Sequence, residues 1–402
     1  MSLNTRQSLN DDPVVIVSAV RTPMGGFQGD LKSLTAPQLG AAAIRAAVDR
    51  AGLGSTDVEQ VLFGCVLPAG LGQAPARQAA LGAGLSDGTL CTTLNKMCGS
   101  GMQAAIMGHD LLLAGSADVV IAGGMESMSN APYLLDKARG GYRMGHGQVI
   151  DHMFYDGLED AYERGRLMGT FAEECAAFEG FSRESQDAFA VASLTRAQEA
   201  MKQGHFEAEI VPVEVTLGKE QKLVTQDEQP PKARLDKIPT LKPAFRQGGT
   251  VTAANSSSIS DGAAALTLMR QSEAGRRGLK PLAVIHGHAA YANKPGLFPT
   301  APIGAIEKLM TRTGWALSDV DLFEINEAFA VVALVTMSKL ELSHEKVNVN
   351  GGACALGHPI GASGARILVT LLSALKQRGL KRGVAAICIG GGEATAMAVE
   401  IV

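Results

Sequence analysis

Three side chains of the sequence could together provide nucleophilic and acid–base chemistry: Cys98, His358 and Cys388. Cys98 precedes Gly-Ser-Gly and then apolar residues at helical spacing, which predicts a thiol at the first turn of a buried helix. The helix N-terminus stabilises a thiolate by roughly 0.3 to 2 kcal/mol, which lowers a cysteine pKa by only about one unit. A reactive thiolate therefore needs a base as well, and His358, within the glycine-rich segment 351–364, is the best candidate.

Four blocks of the sequence carry a resemblance to a known family. They are Asn-Lys-Met-Cys-Gly-Ser-Gly-Met-Gln-Ala at 95–104, Asn-Glu-Ala-Phe-Ala at 326–330, Gly-His-Pro-Ile-Gly-Ala-Ser-Gly at 357–364 and Cys-Ile-Gly-Gly-Gly at 388–392. They are similar to the four active-site signatures of the thiolase family and occur in the family's order. The resemblance extends from about Val14 to the C-terminus, and four spaced blocks are far more specific than one glycine motif.

The resemblance implies acetyl-CoA C-acetyltransferase activity, a reversible Claisen condensation of two acetyl-CoA molecules to acetoacetyl-CoA and CoA. Cys98 would carry the acyl group, His358 would accept its proton, and Cys388 would move the alpha proton of the second substrate. In the family, the backbone N–H groups at the positions of Cys98 and Gly390 hold the tetrahedral oxyanion. His358, with a water positioned by Asn326, would hold the enolate oxygen.

Further positions match those that line the pantetheine and acyl path in the family: Ser257, Met168, Phe245 and Phe329. Other positions depart from the pattern. Leu167 stands where short-chain members commonly have histidine, Ser258 replaces a glycine, and Phe298 opens a segment that is often Met-Gly-Thr-Gly-Pro. Phe298 would act on the acyl end of the substrate. These departures concern the pocket and not the catalytic turns, so they leave the acyl-chain preference open.

The implied partners are acetyl-CoA, acetoacetyl-CoA and CoA, all as substrates, so we expect no cofactor. The family's basic residue near the adenosine phosphate has no obvious equivalent, since Pro230 and Pro231 fall there; Lys232 or Arg234 could replace it. The resemblance also implies a homotetramer.

Three alternative functions remain. The first is a 3-ketoacyl-CoA thiolase of broader chain length, and the second is a non-catalytic acyl-CoA-binding member of the same superfamily. The presence of Cys98, His358 and Cys388 together argues against the second. The third is a ketosynthase, but such enzymes generally pair the cysteine with two histidines, whereas the second partner here is Cys388.

Short apolar runs alternate with helical patterns, which predicts an α/β fold with a largely parallel sheet covered by helices. The strand Val119–Ala122 is expected to end at Gly123-Gly124, and Gly361 to Gly364 are expected to open a helix. The N-terminal and C-terminal parts repeat this plan, so the turn with Cys98 corresponds to the turn with His358. The resemblance implies a duplicated thiolase fold, with two βαβαβαββ halves in a layered α/β/α/β/α arrangement.

We expect an N-terminal half at 13–275 and a C-terminal half at 276–402. A loop domain is expected within the first half, inserted at about 127–248, where the chain is richer in charge. Within it, the patterns predict a helix near Leu158 to Phe178, a helix capped by Ser182 that runs to about Lys202, and an irregular loop over Asp227 to Pro231.

Composition excludes several other classes. Aromatic residues make up 4% of the 402 residues, and 36 Lys and Arg against 40 Asp and Glu give a net charge of -4, so we expect no nucleic-acid binding. The six cysteines show no C-x-x-C spacing, which favours a reduced intracellular protein. Residues 1–13 are polar and lack the apolar region of a signal peptide, and no apolar stretch approaches membrane-spanning length. We therefore expect a cytoplasmic protein.

No metal site is predicted. Cys354 and His358 alone lack the four ligands of a structural zinc site. His286 and His288 share one face of a predicted strand and are expected to be core or rim residues. No G-x-G-x-x-G motif with a distal acid follows a strand, so a nicotinamide cofactor is not expected.

Overall fold

A computed structural model of the chain describes residues 12–402. Residues 1–11, on which the cytoplasmic expectation partly depends, lie outside the described range. The strands β1 to β14 are, in order, Val14–Arg21, Gly25–Gly26, Gln60–Gly64, Leu90–Leu94, Val119–Ser127, Tyr133–Leu134, Ile150–Asp151, Val213–Leu217, Glu220–Val224, Ser260–Arg270, Ala283–Ala292, Leu322–Ile325, Arg382–Ile389 and Glu393–Ile401. The helices α1 to α11 are Ala36–Ala51, Pro75–Gly82, Ser100–Leu113, Met168–Glu179, Arg183–Lys202, Gln229–Lys232, Gln271–Arg276, Ala301–Thr313, Ala330–Lys339, Ala353–Leu356 and Ile360–Arg378.

Most of the strands form one mixed sheet in the order β12-β13-β14-β11-β1-β10-β5-β3-β4, with β2 paired to β10. The two halves of the chain meet where β1 pairs antiparallel with β11. Successive residues of a strand point to opposite faces, and in β13 Val384 and Ala386 join one apolar core while Ala385 and Ile387 join another. The sheet is therefore buried on both faces, and the predicted α/β fold class is confirmed. The expectation of a largely parallel sheet is wrong, because among the described strands only β12–β13, β3–β4 and β3–β5 pair in parallel, whereas the strands between β5 and β13 pair antiparallel.

Helices α3 and α11 occupy the middle layer, in one apolar core with strands of both halves. Helices α1 and α2 cover the outer face of the first half, and α8 and α9 cover that of the second. Glycines let the two central helices approach closely. A Cβ on Gly101 would lie 2.7 Å from the backbone nitrogen of Ala365, and one on Gly364 would lie 2.5 Å from that of Met102. Because α3 follows Cys98 and α11 follows His358, this contact brings the two catalytic turns together.

The described elements agree with the sequence predictions in part. The helix capped by Ser182 is confirmed, since the Ser182 hydroxyl accepts a hydrogen bond from the Ser185 N–H at 3.2 Å. The helix expected near Leu158 to Phe178 is wrong in its first half, because regular helix begins only at Met168. The segment Asp227 to Pro231 is not wholly irregular either, because the short helix α6 starts at Gln229.

One glycine prediction is wrong and one is confirmed. Strand β5 does not end at Gly123-Gly124 but continues to Ser127, whereas α11 begins at Ile360, so Gly361 to Gly364 lie at its start as expected. The physical reason is packing: a Cβ on Gly124 would lie 2.0 Å from the Gly361 carbonyl oxygen. These glycines permit a close approach of strand and helix and do not end an element.

Within residues 12–402, no helix combines the length and apolar character needed to cross a membrane.

Candidate active site

A cavity of about 410 Å³ lies beside the central helices. Its wall includes all but one of the predicted site residues: Cys98, His358, Cys388, Gly390, Ser257, Met168, Phe245, Phe329 and Phe298. Asn326 is the exception and does not line this cavity. The fold thus brings together, around one space, residues that are up to 292 positions apart, as Cys98 and Gly390 are.

A tight turn holds Cys98 immediately before α3. The Asn95 side-chain oxygen accepts from the Met97 N–H at 2.9 Å, and the Ser100 hydroxyl accepts from the Lys96 N–H at 2.8 Å and donates to the Met97 carbonyl at 2.6 Å. Met97 has a φ of 47°, a left-handed conformation that a non-glycine residue rarely adopts. The side chains of Asn95 and Ser100 therefore hold a strained turn that presents the thiol to the cavity.

Burial raises the pKa of the Cys98 thiol to about 11, although the backbone N–H groups of Gly390 and Cys98 act against it. The lowering of about one unit that the helix N-terminus alone would give is therefore outweighed at this site. The reason is the apolar lining of the cavity, which disfavours the charged sulfur more than the nearby helix end favours it. Cys98 rests as a thiol and must transfer its proton when it attacks.

Cys388 lies at the end of β13, one residue before the strand finishes, and its side chain is fully buried. Burial, with the neighbouring Cys98, holds the pKa of the Cys388 thiol well above its usual value. Gly390 follows the strand, and a Cβ there would meet only ordinary contacts, 3.7 Å from the Met168 sulfur. Packing among the described residues therefore does not require glycine at position 390. If a side chain is excluded there, the reason is the space that a substrate needs in the cavity.

Ser363, which the sequence analysis did not single out, sets the tautomer of His358. The Ser363 hydroxyl donates to the Pro359 carbonyl at 2.9 Å and lies 2.5 Å from the His358 Nδ1. A hydroxyl has only one hydrogen, so Nδ1 must be the donor of the second bond and carries the proton. Burial, with the charge of Arg366, lowers the pKa of His358 to about 3. The ring is therefore neutral, and its Nε2, which has no partner among residues 12–402, keeps a free lone pair.

Asn326 follows β12, and its backbone N–H donates to the Ala386 carbonyl at 2.9 Å. Its side chain is 1% exposed, and neither the oxygen nor the nitrogen of the amide has a partner in the described part of the chain. The next residue, Glu327, is fully bonded by Ser193, Asn348 and the Cys354 N–H, which fixes this corner of the site.

Glu126 is a second residue that the sequence analysis missed. Its buried carboxylate accepts from the N–H groups of Val66 at 2.9 Å, Leu67 at 3.1 Å and Gly361 at 2.9 Å. Burial, opposed by these hydrogen bonds, raises the pKa of Glu126 to about 7. The group ties the loop after β3 to the start of α11, three residues from His358. Its sequence signal is a charged residue within an otherwise apolar strand.

Aromatic side chains form the far wall of the cavity. Phe298 is buried, with ring centroids 6.4 Å from Phe171 and 6.3 Å from Phe329, and Phe329 lies 5.9 Å from Phe245. Leu167 also lines the cavity, where it offers no polar contact. The wall is therefore apolar and suited to an acyl chain and a pantetheine arm.

A second cavity, of about 510 Å³, shares Ala253 and Ser258 with the first. It is lined by three basic side chains: Lys232, Arg234 and Lys237. Lys232 pairs with Glu228 at 2.5 Å, and Arg234 pairs with Asp236 at 2.8 Å. The two spaces together provide a thiol end and a cationic end.

Family models match most of the chain. The N-terminal domain of thiolase matches residues 14–272, and the C-terminal domain of thiolase matches residues 279–401. A probable acetyl-CoA acetyltransferase of Dictyostelium discoideum is 51% identical over 392 residues, which cover 97% of this chain and 94% of that protein. An acetyl-CoA acetyltransferase of Schizosaccharomyces pombe is 50% identical, covering 96% of this chain and 98% of that protein.

Solved structures agree. The acetyl-CoA acetyltransferase of Bacillus anthracis superimposes with a TM-score of 0.95 at 40% identity, covering 97% of this chain and 99% of that chain. A thiolase from Ascaris suum, solved in complex with coenzyme A, gives a TM-score of 0.91 at 42% identity, covering 97% of this chain and 100% of that one.

Proposed function

The chain belongs to the thiolase family, and we propose that it is an acetyl-CoA acetyltransferase that interconverts two acetyl-CoA with acetoacetyl-CoA and CoA. The observation that carries this proposal is the convergence of Cys98, His358 and Cys388 on one apolar cavity. The relatives named acetyl-CoA acetyltransferase, about half identical over almost their whole length, support the acetyl substrate.

The first half-reaction acylates the enzyme. The His358 Nε2 takes the proton of Cys98, whose sulfur attacks the acetyl carbonyl carbon. The bond to the CoA sulfur then breaks, and CoA leaves as a thiol with the proton of Cys388, which becomes the thiolate. The N–H groups of Cys98 and Gly390, which already point to the Cys98 sulfur, are placed to hold the oxyanion. Each such donor is typically worth about 3 to 4 kcal/mol.

The second half-reaction forms the carbon–carbon bond. The Cys388 thiolate removes the alpha proton of a second acetyl-CoA, and the resulting carbanion attacks the acetyl carbon on Cys98. The bond to the Cys98 sulfur breaks, and this sulfur takes its proton back from His358. Until then the protonated Nε2 of His358 can donate to the enolate oxygen, and the buried, unbonded amide of Asn326 supports its role in fixing a water there.

For the CoA moiety, we infer that the pantetheine arm passes Ser257 and Met168 and that the phosphates reach Lys232, Arg234 and Lys237. Guanidinium and ammonium groups are the usual partners of phosphates. From the family resemblance we also infer a homotetramer, which light scattering on the purified protein would test. We infer a cytoplasmic location as well.

Labelling with acetyl-CoA tests the proposal. Peptide mapping should place the acetyl group on Cys98. Cys388→Ala should still form the acetyl-enzyme but lose condensation by several orders of magnitude, since no group remains to take the alpha proton. Cys91→Ala, which changes a half-buried cysteine outside the cavity, is the control and should keep both activities. Label on Cys388, or full turnover by Cys98→Ala, would contradict the assignment.

Leu167 and Phe298 favour a second candidate, the 3-ketoacyl-CoA thiolase of broader chain length, because they make the wall apolar. One methylene contributes only about 1 to 3 kcal/mol of discrimination, so we expect a modest preference for acetoacetyl-CoA. A higher kcat/KM for a 3-ketooctanoyl thioester would favour the second candidate.

A further inference from the structure

Three side chains with metal-binding atoms meet away from the catalytic cavity. His109 and Asp110 lie on the last turn and a half of α3, and His288 lies on β11. The His109 Nδ1 is 3.0 Å from the Asp110 Oδ1, and the His288 Nε2 is 2.9 Å from the same oxygen. Among residues 12–402, this is the group of three His, Cys, Asp or Glu side chains whose ligand atoms all lie within 4.8 Å of one another.

We propose that His109, Asp110 and His288 form a binding site for a divalent ion of the zinc class. Two imidazole nitrogens and one carboxylate oxygen are a usual ligand set for zinc that keeps an open position for water. Tetrahedral zinc, with bonds of about 2.0 to 2.2 Å, separates its ligands by about 3.3 Å. The Asp110 oxygen lies 2.9 and 3.0 Å from the two nitrogens, and all three ligand atoms lie within 4.8 Å of one another, so side-chain rotations can bring them to that spacing.

The surroundings suit an ion that enters from solvent. The side chains of His109 and His288 are 10% and 18% exposed, whereas that of Asp110 is 57% exposed. The two imidazoles are therefore held by the protein, and their rings meet edge to face with centroids 5.0 Å apart. The carboxylate faces the open side, where water can complete the coordination. The Arg312 guanidinium donates to the His288 carbonyl oxygen at 2.8 Å, so this cation is bound to the backbone of β11.

The site would join the two halves of the molecule. Helix α3 belongs to the N-terminal half and β11 to the C-terminal half. Asp110 follows Cys98 by twelve residues, or about 18 Å of helix, so a bound ion would leave the catalytic turn in place. The ion would bind the folded protein and not the unfolded chain, and the folded state is stabilised accordingly.

Cobalt binding, read by the visible absorption of Co²⁺, tests the proposal on the untagged full chain. The test variant is His288→Gln, and the matched control is His286→Gln, two residues away on the same strand and paired with Glu400 instead. All of these proteins keep the same six cysteines, so any binding to thiols is common to them. The wild type and His286→Gln should bind one Co²⁺ more per chain than His288→Gln.

Thermal unfolding provides the second readout. Zn²⁺ should raise the Tm of the wild type and of His286→Gln, and should fail to raise that of His288→Gln. Asp110→Asn, which changes an exposed side chain and should fold normally, should lose both effects. Equal Co²⁺ binding by the wild type, His288→Gln and Asp110→Asn, or no stoichiometric binding by the wild type, would show that the three side chains only hydrogen-bond to one another and would overturn the proposal.

Discussion

At the scale of single residues, the proposed role of His358 as a base depends on where its proton is held. The Ser363 hydroxyl accepts a hydrogen bond from Nδ1 and donates one to the Pro359 carbonyl, so the lone pair of the ring is on Nε2. A histidine that is buried, neutral and fixed in one tautomer can accept the Cys98 proton without first losing its own. The catalytic strength of the pair therefore depends on a serine that need not touch the substrate.

Ser363→Ala should lower kcat by about ten- to a hundredfold, part of the 10² to 10⁴ that a positioned base typically contributes, because Nδ1 loses its acceptor and the ring can rotate or change tautomer. The rate of Cys98 acetylation measures this directly. Ser373→Ala, on the more exposed part of the same helix, should keep the wild-type rate. An unchanged acetylation rate in Ser363→Ala would show that the tautomer is fixed in another way.

Glu126 makes stability depend on pH. Its pKa is raised by burial to about 7 from an ordinary 4.5, so between these values the folded protein binds more protons than the unfolded chain. The free energy of unfolding should therefore fall as pH rises from about 4.5 to about 7, by up to about 3 kcal/mol from this group, and then level off.

Glu126→Gln cannot ionise, so the difference in unfolding free energy between the wild type and this variant should shift in favour of the variant between about pH 5 and about pH 8. Urea denaturation at several pH values measures that difference. A constant difference across this range would contradict the raised pKa, whatever the absolute cost of the substitution.

At the scale of elements, the contact between α3 and α11 aligns the catalytic turns. Gly364→Ala should destabilise the protein by about 1 to 3 kcal/mol, the usual cost of overpacking, and should reduce acetylation of Cys98 because the helices move apart. Gly275→Ala is the control: it lies in the short helix α7, and a Cβ there meets no atom within 4 Å among the described residues. That variant should be neutral or slightly stabilising. If Gly364→Ala folds well and is acetylated at the wild-type rate, the acetylation of Cys98 does not depend on the spacing of the two helices.

The sequence predicts some of these elements well and others poorly, for physical reasons. Helix α5 runs from its cap at Ser182 to Lys202 as predicted, because the capping side chain marks its start locally. The glycines at 123–124 predict the end of a strand, whereas tertiary packing is what requires them. The position of Cys98 could be predicted, but its pKa could not, since burial depends on the whole cavity. Likewise the sequence predicts only a core or rim position for His288. Its neighbours His109 and Asp110 lie on a helix far away in the sequence, so their contact with His288 could not be predicted.

At the scale of the whole molecule, a buried charge network joins the segment between β5 and β10 to the central sheet and helices. Arg21, at the end of β1, contacts Asp227 with two hydrogen bonds of 2.7 and 2.9 Å and Glu209 at 2.5 Å. All three side chains are 1% exposed or less. Glu209 in turn accepts from Thr370 of α11 at 3.1 Å. The network therefore links the first strand, the segment between β5 and β10, and the helix that follows His358.

Arg21→Met should destabilise the protein by about 3 to 5 kcal/mol near neutral pH, because it leaves two buried carboxylates without their cation. Arg234→Met removes a pair with Asp236 in which both side chains are more than 60% exposed. It should change stability by less than about 1 kcal/mol at any pH. Urea denaturation of both variants at neutral pH separates the two cases. Equal losses of stability for the buried and the exposed pair would show that the segment between β5 and β10 is held by its apolar contacts alone.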